Sequence, residues 1–86
     1  MKQNCYAVIM DWALNDERGV NVNCVCLNKD DAIDELKKRV DVESRHLAEA
    51  NGLEIIEDTK ECFDAGIMGE YDANHVLHYI QLVVLK

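Results

Sequence analysis

The chain of 86 residues contains no proline, four glycines, one tryptophan, one phenylalanine and no long apolar run. Each shortage removes a class of protein. Nothing approaches the ~20 apolar residues of a spanning helix, so no membrane span is expected. Cys5–Met10 is too short for the apolar region of a secretory leader and Asp11 interrupts it, which makes the expected setting soluble and cytoplasmic. In that setting the four cysteines read as reduced thiols and not as a disulfide framework. No proline, internal repeat, low-complexity tract or linker divides the chain, so residues 1–86 are expected to form a single domain. Gly19, Gly52, Gly66 and Gly69 match neither the dinucleotide fingerprint nor the P-loop, and the acids from Asp58 to Asp64 lack the spacing and central glycine of a calcium loop.

Positive charge is also scarce. Nine basic residues face seventeen acids, for a net charge of −8, and Lys60 alone stands among the seven acids between Glu54 and Asp72. Without a basic face to displace counterions, direct binding to nucleic acid or anionic membrane is not expected. A solvated acidic surface and a basic protein partner both remain compatible with the balance.

The clearest pattern present is Asn28–Gly52. Ile33, Leu36, Val40 and Leu47, flanked by Ala32 and Ala48, recur on one helical stripe. Asn28 is the expected N-cap, Asp30 and Asp31 suit the first turn, and Asn51-Gly52 is the stop, with Leu53 folding back toward Ala48. Three acid-before-base pairs, Asp34–Lys38, Glu35–Arg39 and Asp41–Arg45, mark its solvent side.

Strands are expected on either side. Tyr6–Leu14 and Val20–Leu27 alternate in character around a five-residue loop, Asn15–Gly19. Symmetric closure predicts the pairs Leu14–Val20, Trp12–Val22, Met10–Cys24 and Val8–Cys26, all on the helix-covered face. Leu53–Asp58 reads as a third strand and Thr59–Gly66 as one or two helical turns, with Thr59 as cap and Phe63 and Ala65 inward. His75–Leu85, apolar on both faces, belongs in mid-sheet. The expected architecture is a two-layer ββαββ α+β fold: an antiparallel-rich sheet of about four strands with one long helix on one face. On the uncovered face Ala7, Ile9, Val25, Leu27, Tyr79, Val83 and Leu85 would form an apolar patch rimmed by Asp11, Asn21, Asn23 and Gln81. Such a patch is either roofed by residues 60–74 or used as an interface; in the second case Ile9, Val25, Leu27, Tyr79 and Val83 are the candidate interface residues, most simply for a twofold homodimer.

Chemistry-bearing residues are sparse. Cys24-x-Cys26 lacks the gap of a zinc knuckle, and both thiols are expected to point into the core as small hydrophobes. His75 and His78 fall on opposite faces of a strand. Cys62 with His75, oriented by Asp72, is the one pair that suggests a ligand site or a nucleophile. No cofactor or metal is expected. The segment Gly66–His75 (GIMGEYDANH) sets Ile67, Met68 and Tyr71 among acids, either as a packed loop or as a contact surface. With Glu57, Asp58, Glu61, Asp64, Glu70 and Asp72, these are the candidate partner contacts.

Asp11–Ala13 (DWA), Lys29–Ala32 (KDDA) and the late CFDAG…GEYDANH of Cys62–His75 together resemble a loose group of small uncharacterised ββαββ proteins from anaerobic bacteria, their phages and mobile elements. The resemblance implies a genomic setting in which small acidic proteins bind and modulate host or defence proteins. The expected function is thus a non-enzymatic acidic interaction module, in its most pointed form an inhibitor presenting carboxylates to a basic, nucleic-acid-binding protein. A small-ligand or metal-binding protein using Cys62 and His75 is the alternative, and a small enzyme comes third.

Overall fold

A computed structural model describes residues 3–85. Strands β1 (Gln3–Leu14) and β2 (Glu17–Cys26) form a hairpin, followed by helix α1 (Lys29–Arg39), a π-helical turn (Val40–Ser44) and helix α2 (Arg45–Asn51). Strands β3 (Glu54–Asp58), β4 (Cys62–Gly66) and β5 (His75–Leu85) complete one antiparallel sheet of order β2-β1-β5-β4-β3. The class is α+β with the helix on one face, and the sheet has five strands where about four were expected.

The additional strand is β4, in the segment read as helical turns. Phe63 and Ala65 do point inward, both fully buried, but a spacing of two satisfies that in a strand. Thr59 binds like a cap, its Oγ1 accepting from the Cys62 N–H at 3.1 Å, yet its own N–H donates to the Cys62 carbonyl at 2.8 Å. That pair closes the β3–β4 turn and starts no helix.

The helix begins and ends as its sequence dictates. Asn28 Oδ1 accepts from the Asp31 N–H at 2.9 Å, Gly52 takes φ 69°, and the Leu53 N–H reaches the Ala48 carbonyl at 2.9 Å. Ala32, Leu36, Val40 and Ala48 are buried. Between Val40 and Leu47 the apolar stripe lapses, and there the π-helical turn turns Ser44 inward, where its hydroxyl hydrogen-bonds His78 Nε2 on β5. Of the three anticipated ion pairs Asp41–Arg45 forms, at 3.2 Å, whereas Glu35 meets Lys38 and Arg39 meets Glu43.

The hairpin register differs from the symmetric closure. Asn15 (φ 53°) and Asp16 (φ 70°) make a two-residue left-handed turn, so Leu14 pairs with Glu17, Trp12 with Gly19 and Met10 with Asn21. This odd offset from the expected pairing turns Val20 and Val22 to the face away from the helix and Asn21 to the helix side. A bulge at Asn23 then restores Val8–Cys24 and Tyr6–Cys26 pairing, leaving both thiols half-buried on the helix side. An L-residue at Asp16 bears a left-handed strain that glycine does not. Asp16→Gly is therefore expected to stabilise by about 0.5–1 kcal/mol, a rise of roughly 2–8 °C in a thermal melt. An unchanged or lowered Tm would contradict this turn geometry.

Candidate binding interface

The helix and the sheet bury their apolar stripes against each other, and that packing leaves the other sheet face open. Opposed residues share a face, so the register lays that face out in rows. One row runs Val20, Asp11, Leu77, Asp64, Glu57 across all five strands. The next runs Val22, Ile9, Tyr79, Cys62, and the next Val25, Ala7, Gln81. Val20, Val22 and Val25 are 65, 61 and 58 % exposed, and Leu27, just past β2, is 68 % exposed. Ile9 and Tyr79 are half-buried and Val83 is 36 % exposed. The apolar patch thus includes Ile9, Val25, Tyr79 and Val83 as anticipated and gains Val20 and Val22. Asn21, on the helix side with Met10, does not rim it.

One end of the face is roofed by the 67–74 loop. Gly66 is the reason it fits so closely, since a Cβ there would lie 2.6 Å from the Tyr71 ring. Tyr71 stacks on His75 with centroids 4.5 Å apart, and its hydroxyl donates to Asp64 Oδ1 at 2.8 Å. Burial and the neighbouring Asp64 hold the Tyr71 phenol well above its ordinary ionisation range. His75 Nδ1 lies 2.7 Å from the Tyr71 carbonyl and Nε2 lies 3.1 Å from Asp11 Oδ1, so the ring is held between the loop and β1. Asn74 Oδ1 accepts from the Asn15 N–H and the Asp72 carbonyl from Arg18, anchoring the loop to the hairpin turn. Tyr71, which the sequence left as either a packing or a contact residue, packs here, and the role of orienting His75 expected of Asp72 falls to Asp11. The β1–β5 pairing that brings Asp11 and His75 together joins residues far apart in sequence, and no local spacing announces it.

The anticipated contact residues do not share one surface. Asp58 lies on the helix side, bound to Arg45 at 2.8 Å, and Glu61 holds Lys29 at 2.6 Å. Ile67 is half-buried against the core, whereas Met68, Glu70 and Asp72 are exposed in the loop. Glu57 and Asp64 belong to the open face.

Cys62 and His75 both lie on that face, but Cys62 pairs with Tyr79, four residues along β5 from His75, or about 13 Å. They form neither a chelate nor a nucleophile–base pair. Burial, then a hydrogen bond to Glu57, pushes the Cys62 thiol up to about 11. Burial and the adjacent Cys26 likewise raise Cys24 to about 11. Both are held as thiols near neutral pH. Among the described residues no group of three or more His, Cys, Asp or Glu is placed to hold a metal ion, and no helix is long and apolar enough to cross a membrane.

Fold and face together define a two-layer α+β domain with one sheet surface left open, part aliphatic and part acidic. No family model, curated protein or solved structure matches the chain.

Proposed function

We propose that the chain is a non-catalytic protein-binding module whose open sheet face receives a basic, partly apolar surface of another protein. The observation that carries this reading is the pairing of the exposed valine strip on β2 with the carboxylate row of Asp11, Asp64 and Glu57. Apolar side chains of a partner would cover Val20, Val22, Ile9 and Tyr79, while its lysines or arginines neutralise the row. A second copy is a poorer occupant, because face-to-face pairing brings two such acidic rows into one low-dielectric interface. An inhibitor built on an unbroken acidic stretch from Glu54 to Asp72 is also less well served, since Asp58 and Glu61 lie off that face, against Arg45 and Lys29.

The test is a nuclear magnetic resonance titration with a short amphipathic peptide of lysine and leucine. Saturable shifts are expected at Ile9, Asp11, Val22, Leu77 and Tyr79. Affinity should fall at least about tenfold between about 0.1 and 1 M salt, as the Debye length shrinks from about 10 to about 3 Å. The double variant Asp11→Asn/Asp64→Asn should lose a similar factor in low salt. Shifts confined to the helix side, salt-independent affinity, or a salt-resistant dimer by light scattering would each overturn the reading.

A further inference from the structure

The helix side carries a second feature, independent of the open face. A cavity of about 330 Å³ lies between the helix and the β3–β4 turn, floored by Ile33, Leu36 and Val40 and edged by Lys37, Arg45 and Lys60, with Asp41 and Asp58, the two partners of Arg45, also in its lining. A third of the chain's nine basic residues thus gather at one groove of a protein whose net charge is −8. We propose that this groove binds a small amphipathic anion, with its carboxylate or phosphate head at the three cations and its apolar body on the aliphatic floor.

Four observations support the assignment. Arg45 is held in place from both sides, its Nε donating to Asp41 at 3.2 Å and its Nη2 to Asp58 at 2.8 Å, with the guanidinium 5.4 Å from the Phe63 ring centroid. Its Nη1 has no hydrogen-bond partner among the described residues, so a preorganised donor is left over for a ligand oxygen. Lys37 and Lys60 make no ion pair among the described residues. By contrast, a second cavity of about 270 Å³ beside Tyr6 and Ile80 has its cation Lys29 taken up by Glu61 at 2.6 Å. Finally, Val40 and Asp41, both lining the groove, open the π-helical turn, and such turns recur at functional sites. The volume falls at the small end of ligand pockets, which suits a short-chain or single-ring compound and excludes a dinucleotide.

The probe is anilinonaphthalene sulfonate, an apolar ring system with one anionic head, titrated against the folded protein by fluorescence. One saturable site is expected, displaced by octanoate or octyl phosphate and not by inorganic phosphate, and whichever displaces better identifies the head group. Lys37→Glu/Lys60→Glu, two exposed positions, should weaken the probe at least about tenfold while near-ultraviolet dichroism stays unchanged. Val22→Ser on the open face should leave binding as it was. The inference is overturned if the lysine variant binds equally well, if inorganic phosphate displaces as effectively as octanoate, or if Val22→Ser abolishes the signal. A failure here leaves the peptide titration of the open face unaffected, so the two readings fall separately.

Discussion

Phe63→Ala is expected to cost about 3–5 kcal/mol, a large part of the 5–15 kcal/mol by which domains of this size are stable. Phe63 is fully buried and is the largest fully buried side chain among the described residues. It sits on β4 opposite His78 of β5, inside the cluster formed with Leu36, Val40 and Ala48, and Arg45 lies over its ring. Truncation would empty the space where the central strands meet the helix and would also remove the surface on which the guanidinium rests. Phe63→Leu keeps most of that volume and should cost much less, under about 2 kcal/mol. Urea denaturation followed by the fluorescence of Trp12 measures both. A loss below about 1 kcal/mol for the alanine variant would mean that this ring is not the keystone of the core.

The second large effect concerns Ser44 and His78, a hydrogen-bonded pair in which both residues are fully buried. His78 Nδ1 is itself buried without a partner. Ser44→Ala would leave the whole imidazole without a hydrogen bond and should cost about 1–3 kcal/mol. His78→Leu should cost less, because the freed Ser44 hydroxyl can turn back to a carbonyl one helical turn earlier. The double variant Ser44→Ala/His78→Leu, apolar on both sides, should recover most of the stability lost by Ser44→Ala alone.

The same pair sets a pH dependence. Burial pushes the His78 imidazole below its ordinary value near 6.5; Glu43 opposes the shift and Arg39 adds to it. Below about pH 6.5 the unfolded chain therefore takes up a proton that the folded chain refuses. Stability contributed by the neutral ring is complete above that pH and declines as pH falls toward the folded value, with a slope of up to about 1.4 kcal/mol per pH unit. Urea midpoints between about pH 7 and about pH 5, compared with those of His78→Leu, isolate the contribution of this ring. If the native and His78→Leu proteins lose stability in parallel across that range, His78 is not the group responsible.

Both effects depend on features of unequal visibility. The helix from Asn28 to Gly52, its caps and its inward stripe were legible because they are local: the cap side chain, the first-turn acids and the left-handed glycine all act within a few residues of one another. The strand His75–Leu85 was equally plain, since an apolar run bounded by polar residues has few other uses. Between Val40 and Leu47 the stripe lapses, and local periodicity gives that lapse no meaning. Only when β5 passes beneath the helix does Ser44 acquire His78 as a partner, and the π-helical turn is the backbone's way of presenting it.

What the sequence determined by itself was the α+β class, the single long helix with both its ends, the central strand and the acidic balance. These follow from periodicity, capping and composition, which act over short range. The tertiary structure decided the rest. A two-residue turn in place of a five-residue loop shifted the hairpin register by an odd number and put Val20 and Val22 on the open face. Pairing with β5 drew Phe63 and Ala65 into a fifth strand. The same long-range pairing aligned Asp11, Asp64 and Glu57 in one row and parted Cys62 from His75. Each of these outcomes rests on contacts between residues distant in the chain, and a side-chain period of two changes face with a single step of register. The valine strip, the carboxylate row and the cationic groove therefore took shape only once the strands had found their neighbours.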